Sequence, residues 1–218
     1  MLVAIVLSTL ATVALSVWLH DGTTTAFDNW MLRVLYNHIG ETGSQPLLGI
    51  SEPILTLVLL AAVVIFAALV RLWSLVALAV IGPVVALGMT ELVLKPLVHR
   101  TIGKDIVPND PYPGFGTAFP SGHETGVMAV VLVLALVLHR SPLPKRWRVT
   151  GWVVLALWAV VAALGLVRGF YHYATDTVGA ITLTTAIVLS TALAIDACTH
   201  AAKRRSPETA ERQLTRRS

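Results

Sequence analysis

Apolar residues run nearly without interruption through 2–19, 53–70, 72–94, 125–139, 150–167 and 177–195, and most polar residues lie in the joints between these runs. The runs are continuous and rich in Leu, Val and Ala. They therefore predict helices rather than the ten-residue alternating strands of a membrane barrel. A hydrocarbon core about 30 Å thick takes roughly 20 residues of helix, so the expected fold is all-α: a polytopic membrane bundle with about six transmembrane helices. The first run lacks the basic residues that open a secretory signal and has no small-residue cleavage site before His20, so it is read as a span. One more helix is expected outside the spans. Phe27, Trp30, Met31, Val34 and Leu35 follow a single helical stripe, and Thr25 with Asp28 makes a capping box. This predicts an interfacial helix near 26–38, lying on the outer leaflet.

Composition sharpens the reading. Of 218 residues, 56% are apolar and 13% charged, against about 25% charged in a soluble domain, which excludes a cytosolic globular enzyme. Residues 1–200 form a single transmembrane domain, and 201–218 a basic cytoplasmic tail expected to be disordered. Basic residues flanking spans are kept on the cytoplasmic side. With the N-terminus inside, that side holds Arg71, the loop at 140–149 and the tail, together 11 of the 16 lysines and arginines. Both termini are then cytoplasmic in a multi-pass cell-membrane protein. The net charge of +4 is accounted for by topology and anionic headgroups, with no nucleic acid and no obligate protein partner. The lone Cys198 excludes an intrachain disulfide and a cysteine metal cluster.

In this topology four helix ends gather the remaining polar residues on the outer face. One stretch is Lys95-Pro-Leu-Val-His99-Arg100, followed by a Gly- and Pro-rich loop and then Pro120-Ser121-Gly122-His123 at a helix start. Unpaired N–H groups at a helix start bind anions, and Lys95 and Arg100 add positive charge, so phosphate is the expected ligand. Glu91, one turn before Lys95, is placed to orient it. The other stretch is Arg168-Gly-Phe-Tyr-His172-Tyr-Ala-Thr-Asp176. His172 and Asp176 are four apart, so on a helix the carboxylate accepts an imidazole N–H and leaves the other nitrogen free as a nucleophile. A metal site would have to recruit Asp105 or Asp110 beside the histidines and Asp176, and the cationic surroundings suit an oxyanion better. No metal is expected.

These residues resemble the type 2 phosphatidic acid phosphatase family, whose soluble relatives include the vanadium haloperoxidases. Pro120-Ser121-Gly122-His123 matches the family's central motif without change, and His172 to Asp176 matches its His-x-x-x-Asp ending. The chain departs from the pattern at Ile102-Gly103, where the family has Arg-Pro, and at Val167, where it has Ser. Three residues instead of five separate Arg168 from His172. Arg100 or Lys104 is the replacement the first departure invites.

The resemblance implies a metal-independent lipid phosphatase working through a phosphohistidine. In it His172 is the nucleophile, Asp176 its partner and His123 the acid, while Lys95, Arg100, Ser121, Gly122 and Arg168 bind phosphate. The substrate comes from the bilayer: polyprenyl diphosphate, phosphatidic acid or phosphatidylglycerol phosphate. A lipid phosphotransferase using the same histidine and a catalytically silent membrane subunit are the alternatives within this reading. Transport through Glu52, Glu91 and Glu124, with a break at Gly82-Pro83, is the alternative outside it.

Overall fold

A computed structural model describes residues 1–22, 24–40, 46–101 and 117–204. Among them the chain is helical, with no strand beyond one isolated bridge between Thr101 and Thr117. The elements are α1 (Leu2–Trp18), α2 (Ala26–His38) and α3 (Pro53–Leu69), which a helical turn at 46–49 precedes. They continue with α4 (Trp73–Val98), α5 (Gly122–Arg140), α6 (Lys145–Arg168) and α7 (Ala174–Arg204). Pro53 opens α3 at a position where its missing N–H costs nothing.

Five stretches are long and apolar enough to cross a membrane: Pro46–Leu69, Trp73–Val98, Gly122–Arg140, Lys145–Arg168 and Ala174–Ala202. α1 is equally apolar but has 17 residues, about 25 Å of helix. α1 and α3 stay within their apolar runs, whereas α4 to α7 extend beyond theirs at one or both ends. α5 starts at Gly122 rather than 125, and α6 takes in the basic turn from Lys145, because a helix continues until a cap or proline stops it, not until hydrophobicity ends. Pro83 does not break α4, which remains helical from Trp73 to Gly88. It then widens into a π-helical segment, Met89–Leu94, and closes with Lys95–Val98.

α7 is the axis of the bundle, with α1, α4 and α5 packed along it; α6 packs on α5, and α3 on α4. Leu78, Ala79, Val133, Val188 and Ala192 join α4, α5 and α7, while Val127, Met128, Val131, Ala159 and Ala162 join α5 to α6. Small residues and interhelical hydroxyls serve where lipid provides no hydrophobic drive between helices. Gly82 lies against Val188, Thr12 Oγ1 donates to Thr182 Oγ1 at 2.9 Å, and Thr90 and Thr125 hydroxyls meet at 3.1 Å. Leu7, Ile54, Leu69 and Val154 face outward.

At one end of the bundle the finish of α4, the start of α5 and the start of α7 are tied by backbone bonds. Ala118 N–H donates to the Arg100 carbonyl, and Ser121 N–H to the Asp176 carbonyl. α2 packs against α6 and α7. At the far end Arg140 and Asp196 pair at 2.6 Å.

Candidate active site

The central motif enters α5 through Ser121, whose hydroxyl accepts the Glu124 N–H at 3.2 Å. Ser121 is fully buried, and its own N–H is spent on Asp176. Its place is therefore that of a cap, with the hydroxyl turned into the helix start. The Gly122 and His123 N–H groups are first-turn donors with no partner among the described residues. The preceding Phe119-Pro120 peptide is cis. Phe119 is buried against Gly179 of α7, where any Cβ would overlap its ring. Glu124, the next residue after His123, is buried, with neither carboxyl oxygen partnered among the described residues.

Lys95 reaches this helix start from α4. Its Nζ donates to both oxygens of Glu91, at 2.7 and 2.8 Å. The pair sits directly over Gly122: a Cβ there would lie 2.6 Å from Glu91 Oε1 and 3.8 Å from Lys95 Nζ. The motif's glycine is thus where an ion pair closes onto backbone. His99 ends α4 in the left-handed conformation, φ 51°, and is exposed.

His172 lies in the turn between α6 and α7, its side chain 10% exposed. Its ring centroid is 6.1 Å from that of His123, and the Tyr171 ring centroid also lies 6.0 Å from that of His123. The sequence spacing leads one to expect Asp176 to accept the imidazole N–H. Instead, Nδ1 is 3.1 Å from the Ala118 carbonyl and 3.8 Å from Asp176 Oδ2, so the hydrogen bond goes to the carbonyl and the carboxylate acts through space. The reason is local: α7 begins at Ala174, so His172 is outside the helix and the i,i+4 rule does not apply to it. A carbonyl can only accept, so Nδ1 carries the proton and Nε2 is the free nitrogen.

Asp176 caps its own helix by accepting the Tyr173 N–H at 2.9 Å, and its other oxygen binds Arg100 Nη1 at 2.6 Å. Arg100 is fully buried. Its Nη2 binds Asp28 at 2.6 Å, its Nη1 also donates to Thr175 Oγ1, and its guanidinium lies 4.5 Å from the Tyr173 ring centroid. This arginine is therefore not presented to a phosphate: two carboxylates hold it behind the histidine. Asp28 in turn accepts from the Thr25 and Thr175 N–H groups. Burial alone would raise its pKa, but those backbone bonds and Arg100 outweigh burial and hold it below 3.8.

Arg168 is also withdrawn from the site. It is 4% exposed, donates Nε to the Ile39 carbonyl at 2.7 Å and lies over the Tyr36 ring. The three-residue connection to His172 leaves it at the end of α6, against α2. Among the candidate cations in the described residues, Lys95 is the one beside the helix start. Ile102, Gly103, Lys104, Asp105 and Asp110, and the tail after residue 204, lie outside the described residues. Among those described, no three His, Cys, Asp or Glu side chains come together as a metal site. The sequence marks Asp28 only as a cap and carries no signal for the Ala118 carbonyl as the partner of His172. The capping box gave no sign of Asp28's further partners.

Comparison with known protein families matches residues 68–199 to the PAP2 superfamily. No curated protein and no solved structure gives a match. The matched segment spans more than half of the chain and includes Lys95, His123, His172 and Asp176; the protein belongs to the PAP2 superfamily, whose membership supports phosphatase-type activity on lipid phosphates in general.

Proposed function

We propose that the protein hydrolyses a lipid phosphate or diphosphate through a phosphohistidine on His172, without a metal. The observation that carries this reading is the pair of imidazoles 6.1 Å apart, one with Nδ1 held by the Ala118 carbonyl, beside Lys95 and the start of α5. Nε2 of His172 attacks phosphorus. As the N–P bond forms, the bond from phosphorus to the leaving oxygen breaks, and His123 gives that oxygen its proton. Water then attacks the phosphohistidine, His123 takes the water proton, and the P–N bond breaks to release phosphate. Lys95 and the Gly122 and His123 N–H groups carry the charge that grows on the equatorial oxygens.

The tail stays in the bilayer while the headgroup meets the bundle end. Facing this end outward, as the distribution of basic residues favours, gives access to lipids of the outer leaflet, such as polyprenyl diphosphate. The test is phosphate release by detergent-purified protein with EDTA present, from phosphatidic acid, phosphatidylglycerol phosphate and polyprenyl diphosphate, beside His172→Ala. Metal-independent release that vanishes in the variant supports the reading, and the preferred lipid names the substrate. Because one histidine must be neutral and the other protonated, the rate is bell-shaped in pH. A flat rate between about pH 5 and 8 counts against the two-histidine mechanism.

A further inference from the structure

Asp28 is more deeply engaged than a helix cap requires. An N-cap partner on a surface helix needs only the Thr25 backbone, yet Asp28 is 1% exposed and also receives Arg100 Nη2 and both the N–H and the hydroxyl of Thr175. Its partners come from the end of α4 and the start of α7, 72 and 147 residues along the chain.

We propose that Asp28 is a positioning residue for the nucleophile: by clamping Arg100 and Thr175 from α2, it holds Asp176 facing His172. The inference rests on the reading of His172 as nucleophile given above. Arg100 is a planar fork with one arm on Asp28 and the other on Asp176, each at 2.6 Å, so it cannot turn without releasing both. Thr175 has a single hydroxyl proton. With Arg100 Nη1 donating to its oxygen at 2.6 Å, that proton goes to Asp28 at 2.9 to 3.0 Å. Asp176 is therefore fixed from two directions, by Arg100 and by the Tyr173 N–H, and its Oδ2 is left 3.8 Å from Nδ1 of His172.

Charge adds to position. Among the described residues two carboxylates face this one guanidinium, so negative charge is in excess just where His172 becomes positive as the N–P bond forms. Among the described residues, the groups facing His172 are Asp176 from α7 and His123 from α5, with Arg100 and Asp28 behind Asp176. Lys95 and Glu91 of α4 and Glu52 at the head of α3 act on His123.

The test is Asp28→Asn, which keeps the size and one accepting oxygen, assayed on the lipid the wild type hydrolyses best, beside wild type, His172→Ala and Thr175→Val. At an effective dielectric near 20, a unit charge lost at a separation on the order of 10 Å from a titrating group is worth about tenfold. The expected result is kcat about tenfold lower, KM within about twofold, and the acidic limb of kcat/KM moved to lower pH. Thr175→Val, which keeps the N–H bond to Asp28, shows a smaller fall in kcat with the same KM. A folded Asp28→Asn with wild-type kcat and pH limb, or a loss confined to melting temperature, overturns the proposal. If Asp28→Asn does not fold, Thr175→Val decides, and an unchanged kcat overturns it. A wild type silent on every lipid, or an active His172→Ala, removes the phosphohistidine reading itself, a different outcome from an unaffected Asp28→Asn beside an inactive His172→Ala.

Discussion

Replacing Gly122 with Ala tests whether the Glu91–Lys95 pair belongs to the phosphate cradle. No left-handed backbone is involved at Gly122, so only space opposes the new methyl group. It would meet Glu91 Oε1 at 2.6 Å, whereas ordinary contact begins at 3.4 Å, so the carboxylate must retreat by about 0.8 Å. The pair it disturbs is partly exposed, 20% for Lys95 and 46% for Glu91, and such pairs are worth about 0.2–1 kcal/mol. Stability should therefore fall by no more than about 1 kcal/mol. Activity is more sensitive, since misplacing a catalytic contact by about 1 Å costs up to about a hundredfold. Gly122→Ala is thus expected to keep its melting temperature within a few degrees and to lose about ten- to a hundredfold in kcat/KM for phosphate release. The control is the same change made in Glu91→Ala, where the obstructing carboxylate is gone and the further loss should shrink to about threefold or less. A Gly122→Ala enzyme with wild-type kcat/KM, or equal losses in the two backgrounds, refutes the idea that the glycine is there to seat this ion pair.

Other predictions concern the buried parts. Arg100→Leu strands Asp28 and Asp176 as buried charges, which costs about 3–5 kcal/mol, so yield and melting temperature should collapse. A well-folded Arg100→Leu protein would contradict the buried pairing. Gly179→Ala overlaps the Phe119 ring and should destabilise by about 1–3 kcal/mol, read by thermal unfolding. Asp28 has a folded pKa below 3.8; it therefore stabilises the fold above its ordinary pKa, and that contribution is lost as pH falls through the folded value. In melting experiments from pH 6 to 2, the gap between wild type and Asp28→Asn should close at the acid end, and a gap independent of pH would refute the assignment.

The helices were legible because a membrane leaves the chain one local solution: a long apolar run must satisfy its backbone within itself. α2 was legible for the opposite reason, a stripe on one face with a polar remainder and a capping pair three residues apart. The fate of the arginines was not. Arg100 and Arg168 sit among motif residues and carry the right charge for a phosphate, but their partners, Asp28 and the Ile39 carbonyl, are 72 and 129 residues away. No local pattern encodes such distant pairings. His172 and Asp176 are a narrower case. Their spacing was read correctly as proximity, but the first turn of α7 starts two residues too late for it to be a hydrogen bond.

The π-helical segment of α4 gives the site a phase. Met89–Leu94 is wound more widely than the α-helix on either side, so the last turn carrying Lys95 is rotated relative to where a regular helix from Trp73 would present it. Each residue advances an α-helix by about 100°. Rewinding the same residues 89–94 as ordinary helix would leave Leu78 and Ala79 in the core but swing Lys95 and everything after it by about one residue's rotation around the axis, whereas removing one residue as the wide turn closes would keep Lys95 on its present face. The single wide turn thus works as a frame setting. The membrane-embedded half of α4 and its chemical end can each keep their own register, and the loss of one residue between Met89 and Leu94 is the length change that closing the wide turn can absorb.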